Sequence, residues 1–95
     1  MSYIEDKYFV ALVDHLNSLI ESKNLKVAEL AAAADLDRKQ VYRLLKKENI
    51  PTLTTLIRIS LAAGIHPKDM HDFKFNFDAY MKEKNIFQIK AVEKE

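Results

Sequence analysis

A chain of 95 residues holds one modest core. Hydrophobic residues make up 48% and charged residues 31%, which excludes wholesale disorder, and one Gly with two Pro is too little punctuation for a turn-rich β-sandwich or small barrel. The absence of Cys excludes disulfides, Cys-ligated zinc, iron–sulfur clusters and a thiolate nucleophile, while 15 basic against 14 acidic residues leave a net charge of +1, so any electrostatic partner must be met by a local patch.

The start, Met1-Ser2-Tyr3-Ile4-Glu5-Asp6-Lys7, places acidic residues where a secretory leader is basic. The longest apolar run, Tyr8 to Val13, is far short of the roughly 20 residues that a membrane span needs. A cytoplasmic protein without membrane association is expected. Helical spacing then runs over residues 3–23, through Ile4, Tyr8, Leu12, Leu16, Leu19 and Ile20, with Phe9 and Val13 widening the stripe. Ser2 and Glu5 have the spacing of a capping box, and Asn24 is the stop. A short second helix follows with Val27, Leu30, Ala31 and Ala34 on one face; its run of alanines lets another helix approach closely.

Asp35-Leu36-Asp37 interrupts. Asp tolerates the left-handed conformation that ends a helix, and Asp37 is a good N-cap for the next one. From Arg38 to Lys47 the inward positions are Val41, Leu44 and Leu45, and the other face presents Arg38, Lys39, Tyr42, Arg43 and Lys46. Pro51 and Thr52 open a fourth helix with Leu53, Leu56, Ile57 and Ser60 on its inner side, ended by Gly64. His66-Pro67 starts a last short turn of helix carrying Met70, with Pro in its preferred first position. This leaves no room for a sheet in residues 1–72, and the fold class is all-α with five helices. Beyond them, Phe73, Phe75 and Phe77 alternate with Lys74 and Asn76, a period of two that suits an extended segment. Asp78 to Lys84 has the length for two helical turns, Ile86 to Ile89 for a short strand or a further turn, and the end is expected to fray.

Two short helices joined by a tight turn, the second basic on its outward face, form a helix-turn-helix pattern. Leu25-Lys26-Val27-Ala28-Glu29-Leu30-Ala31, then Leu36-Asp37-Arg38 and Val41-Tyr42-Arg43-Leu44, resemble the Cro/phage-repressor (XRE-type) helix-turn-helix family. The resemblance continues through Pro51-Thr52-Leu53-Thr54-Thr55-Leu56, Ile59 to Ala62, Gly64-Ile65 and Met70, and spans roughly residues 12–72. It implies a five-helix, lambda-repressor-like domain over residues 1–72 that binds operator DNA as a symmetric dimer, its third helix in the major groove. Residues 73–95 form a C-terminal extension. By position, Arg38, Lys39, Gln40, Tyr42 and Arg43 fall where family members read bases or clamp the adjacent backbone. The chemistry agrees, since Arg addresses guanine and Gln adenine, while Lys46 and Lys47 meet phosphates. The family's second helix usually begins with Ser or Thr followed by Gln; Lys26 and Val27 stand there instead, losing an N-cap but offering Lys26 as a charge contact. Asp35 replaces a usual turn Gly, and Lys47 lies where a Gly commonly follows the third helix. Asp35 and Asp37 also bring negative charge close to the expected phosphate path.

The functional expectation is a sequence-specific transcriptional regulator acting through operator occupancy on double-stranded DNA, with no cofactor and no enzymatic activity. A repressor, a restriction–modification controller and an antitoxin share this size. The rival is a protein-interaction module on the same helices that does not bind DNA, with a toxin or another protein as partner. His66 and His71 do not stack on one helical face and His15 lies on another helix, so no metal site is expected. Ser18, Ser22 and Ser60 lack nucleophile context. Arg58, Lys68, Asp69 and Asp72 are most simply surface charges. Phe73, Phe75, Phe77, Ile86, Phe87 and Ile89 are candidate homodimer contacts; for the three Phe, closure of the subunit's own core is the equal alternative.

Overall fold

The computed structural model describes residues 5–90, which form six helices and no strand: α1 (Lys7–Ser22), α2 (Val27–Ala34), α3 (Arg38–Leu45), α4 (Leu53–Ala62), α5 (Pro67–Met70) and α6 (Phe77–Lys84). The fold is all-α, as the composition and spacing indicate. Ser2 and Ile4, and the expectation of fraying at Glu93-Lys94-Glu95, lie outside the described residues.

α1 starts later than the spacing suggests, because Asp6 is its N-cap: the backbone there is extended and the carboxylate accepts from the Phe9 N–H at 3.0 Å. An ionised acceptor satisfies one of the free amides of the first turn and favours the positive end of the helix dipole. The apolar stripe is as expected, with Phe9, Leu12, Val13, Leu16 and Ile20 buried and Tyr8 and Leu19 packed at its edge. α2 contributes Leu30, Ala31 and Ala34, α3 contributes Val41 and Leu44, and Ile59, Ala63, Ile65 and Met70 complete the core. α2 packs on α3 and α4, while α1 packs on α3 and α5.

Five of the six helices end on one device. Asn24, Asp35, Lys47, Gly64 and Asn85 adopt φ between 56° and 73°. At each, two backward hydrogen bonds close the helix end; at α2 they run from Asp35 N–H to the Ala32 carbonyl (3.2 Å) and from Leu36 N–H to the Ala31 carbonyl (2.9 Å). This is the Schellman arrangement. The next residue is Leu25, Leu36, Ile65 or Ile86 in four cases and Glu48 after α3. Leu25, Leu36 and Ile65 pack on the core, so each cap also turns the chain inward. A chain with one Gly makes its sharp turns with Asn, Asp and Lys, and Gly64 is set by its φ of 73° rather than by crowding.

The fourth helix is rotated from the expected phase. Leu53 is 70% exposed and Leu56 and Ile57 only half-buried, whereas Thr55, Ile59 and Ala63 face the core. Burial of Thr55 is permitted because Thr52, the N-cap, accepts from the Thr55 N–H and donates to its hydroxyl oxygen. Ser60 is fully buried as expected, its hydroxyl donating to the Ile65 carbonyl at 2.6 Å. The histidines also have structural uses. His66 caps α5 by accepting from Lys68 N–H, His15 Nε2 donates to the Asp69 carbonyl, and His71 Nδ1 shares a hydrogen bond with the Tyr8 hydroxyl.

The segment of alternating Phe residues is non-helical as far as Asn76, and the helix expected over Asp78 to Lys84 forms and takes in Phe77. Asn76 caps this helix, α6, through the Ala79 N–H, so Phe77 is its first residue. The three rings converge on Tyr8 of α1, with centroid separations of 5.2 Å for Phe73, 5.0 Å for Phe75 and 5.6 Å for Phe77. α6 buries no residue fully and is tied to the start of α1 by the Tyr80 hydroxyl donating to Asp6 (2.7 Å) and by the Lys84–Asp6 and Lys7–Glu83 ion pairs. Burial pushes the Asp6 carboxyl up, but the Phe9 N–H, the Tyr80 hydroxyl and the Lys84 ammonium outweigh it and hold Asp6 below the ordinary aspartate value. Ile86 to Ile89 form neither strand nor helix and stay exposed.

Candidate nucleic-acid interface

The position of α3 follows from its neighbours. Val41 and Leu44, at 0% and 1% exposure, lock its inner face into the core. Asp37 caps its start, the carboxylate accepting from Lys39 N–H at 2.8 Å. α1 holds its other end: Asn17 Nδ2 donates to the Leu45 carbonyl at 3.1 Å, and Asp14 pairs with Lys47 at 2.6 Å. The helix before it is closed by Arg58, which donates to the Ala34 carbonyl at 3.3 Å. Arg58 is therefore more than a surface charge, since a cation there complements the C-terminal dipole of α2.

With the inner face fixed, positions 39, 42, 43 and 46 share the outer one. Lys39, Tyr42, Arg43, Lys46 and the acidic Glu48 line an open concavity of about 480 Å³. Arg38 and Gln40 are exposed at the start of α3 but do not line it, and Lys26 is exposed ahead of α2 without a capping hydrogen bond of its own. Among the described residues none of Lys26, Arg38, Lys39, Arg43 and Lys46 is held in an ion pair, whereas Lys47 is turned back onto Asp14. Unpaired guanidinium and ammonium groups supply hydrogen-bond donors without acceptors, the complement of phosphate oxygens and guanine edges.

Asp35 and Asp37 lie in the turn between α2 and α3. Asp37 is engaged with the backbone, and Asp35 approaches Arg58 only at 3.9 Å. Asn17, Asp14 and Glu48 went unnoticed in the sequence. Glu48 alone had a local signal, the polar residue following the left-handed Lys47; the other two act across the fold. Of the candidate dimer residues, Phe73 and Phe75 are packed within the chain, and Phe77, Ile86, Phe87 and Ile89 are exposed. No group of three or more His, Asp or Glu among the described residues is arranged to hold a metal, and no described helix is long and apolar enough to cross a membrane.

Neither the curated proteins nor the solved structures contain a significant match. A family model for the Cro/C1-type HTH DNA-binding domain matches residues 15–76, from the middle of α1 to the N-cap of α6. With α2, its left-handed turn and the outward cations of α3 inside that range, the chain belongs to the Cro/C1-type helix-turn-helix DNA-binding family.

Proposed function

We propose that this protein is a sequence-specific transcriptional regulator that acts by occupying an operator, with the outer face of α3 in the major groove. The observation that carries the reading is the cationic face of Lys39, Arg43 and Lys46 around Tyr42, held outward by the buried Val41 and Leu44. In this reading Arg38, Gln40 and Arg43 address base edges, and Lys26, Lys39 and Lys46 neutralise phosphates. Lys47 contributes less, because its ammonium is already paired with Asp14. Affinity arises from counterion release and base-edge hydrogen bonds, and no cofactor enters. Repressor, restriction–modification controller and antitoxin are all compatible with operator occupancy by so small a protein.

One helix-turn-helix reads few base pairs, so the proposal includes a homodimer whose two α3 helices lie about 34 Å apart, one turn of DNA. Phe77, Ile86, Phe87 and Ile89 support self-association through the C-terminal extension: Phe87 is 85% and Ile89 90% exposed, in a run of apolar side chains that an isolated subunit leaves in water. Light scattering tests this part. The full chain should dimerise at tens of micromolar, and a chain ending at Asn85 should not.

Selection of bound duplexes from a random pool with the purified protein tests the main reading. A recurrent half-site, bound with steep salt dependence, is expected. Failure to retain any duplex at low salt overturns the reading in favour of a protein-interaction module that uses the apolar tail.

A further inference from the structure

We infer that Tyr42 reads a pyrimidine C5-methyl group in the major groove. The inference rests on the DNA-binding reading and adds the chemical group that an uncharged side chain on α3 recognises. Tyr42 is 43% exposed and stands among Lys39, Arg43 and Lys46, with Glu48 the one acidic residue of the concavity. Its neighbours in sequence, Val41 and Arg43, face opposite ways: Val41 is fully buried and Arg43 exposed. The ring cannot turn into the core without withdrawing Val41 and Leu44 from it, so it meets whatever enters the concavity.

The chemistry of the groove then narrows the partner. Lys and Arg present donors only, which match guanine O6 and N7, thymine O4 and phosphate. An aromatic face laid over those polar edges displaces their water and returns little in exchange. The apolar group that the major groove offers is the methyl on pyrimidine C5, which thymine carries and cytosine lacks. A ring with two side-chain torsions, flanked by cations that fix the phosphates on either side, is well placed to cover that methyl at small entropic cost. The same methyl is presented by thymine and by 5-methylcytosine, and the ring by itself does not distinguish them.

The test uses the full chain and the duplex selected from the random pool. Each thymine of the half-site is replaced in turn by uracil, which removes the methyl and leaves every hydrogen-bonding edge in place. At one position affinity should fall about fourfold, the worth of one buried methyl. Cytosine and 5-methylcytosine are compared at each cytosine of the half-site in the same way. A methyl effect at a T·A pair assigns thymine as the source, and one at a C·G pair assigns 5-methylcytosine; either supports the inference. Tyr42→Phe should keep the effect, and Tyr42→Ala should abolish it while the melting temperature stays nearly constant. The inference is overturned if no position shows a methyl effect, if the effect survives Tyr42→Ala, or if Tyr42→Phe loses affinity, which would assign the hydroxyl as the reading group. Retention of no duplex at all overturns the DNA-binding reading together with this one, whereas a bound half-site without methyl dependence overturns this one alone.

Discussion

Leu44 and Arg43 are consecutive residues of α3 that face opposite ways, and replacing each by Ala separates the core from the proposed interface. Leu44 is 1% exposed in the cluster where α1, α2 and α3 meet. Leu44→Ala removes three carbons, about 2.4 kcal/mol at roughly 0.8 kcal/mol for each buried CH₂. The neighbours Val13, Leu16 and Val41 are themselves fully buried on helices fixed by other contacts, so the space closes incompletely and the total rises to about 3–4 kcal/mol. At roughly 4–8 °C per kcal/mol for a domain of this size, the melting temperature should fall by at least about 12 °C. Arg43→Ala removes an exposed side chain and should leave the melt within about 2 °C. Thermal unfolding followed by circular dichroism reads both. A Leu44→Ala melt within about 2 °C of the parent, or an Arg43→Ala melt as low as that expected for Leu44→Ala, would refute the orientation of α3.

Arg43→Ala or Arg38→Ala should weaken the selected site by about 1–3 kcal/mol and relax one base position, while Lys46→Ala should weaken all sequences alike and reduce the salt slope by about one, as titrations at several salt concentrations will show. Lys47→Ala should act differently from Lys46→Ala, lowering stability by about 0.5 kcal/mol through the lost Asp14 pair with little change in salt slope. Ser60→Ala leaves the Ile65 carbonyl without its buried donor and should cost about 1–2 kcal/mol in urea unfolding. The Asp6 carboxyl is held below its ordinary value in the folded chain, so its stabilisation is complete above the unfolded value of about 4 and is lost as pH falls through the lower folded value. Asp6→Asn should therefore flatten the acid limb of stability against pH, and an unchanged limb would show that the ties to Tyr80 and Lys84 do not form in solution.

How much of this protein was legible before its fold depended on whether the relevant physics was local. Helix ends are local: Asn24, Asp35, Asp37, Thr52, Gly64 and Pro67 announce caps because each residue type supplies a missing acceptor, tolerates a left-handed φ or presets a helical one. The outward face of α3 was equally legible, since every apolar residue between Arg38 and Leu45 except Tyr42 falls on the inner side of the helical period. The start of α1 was misplaced because Ser2 and Asp6 both satisfy the capping chemistry, and tertiary contacts of Asp6 with Tyr80 and Lys84 favour the later start.

What the tertiary structure alone decided involves partners distant in sequence. Thr55 reads as polar, yet the core accepts it once Thr52 has satisfied its hydroxyl, and that rotates α4 and leaves Leu53 in water. Lys46 and Lys47 are indistinguishable as residues; Asp14 on α1 reaches the second, and the first remains free to face a ligand. The period of two in the Phe residues marked an extended segment as far as Asn76, but not where the rings pack: Tyr8 of α1 draws all three to one point. Periodicity by itself placed the buried stripes of α1 and α3, and the cap residues placed most of the helix ends. Which surface supplies that burial, and which charges are left over for a partner, followed only when the helices met, because each hydrogen bond, ion pair and ring contact that settles it joins residues whose separation along the chain carries no local signal.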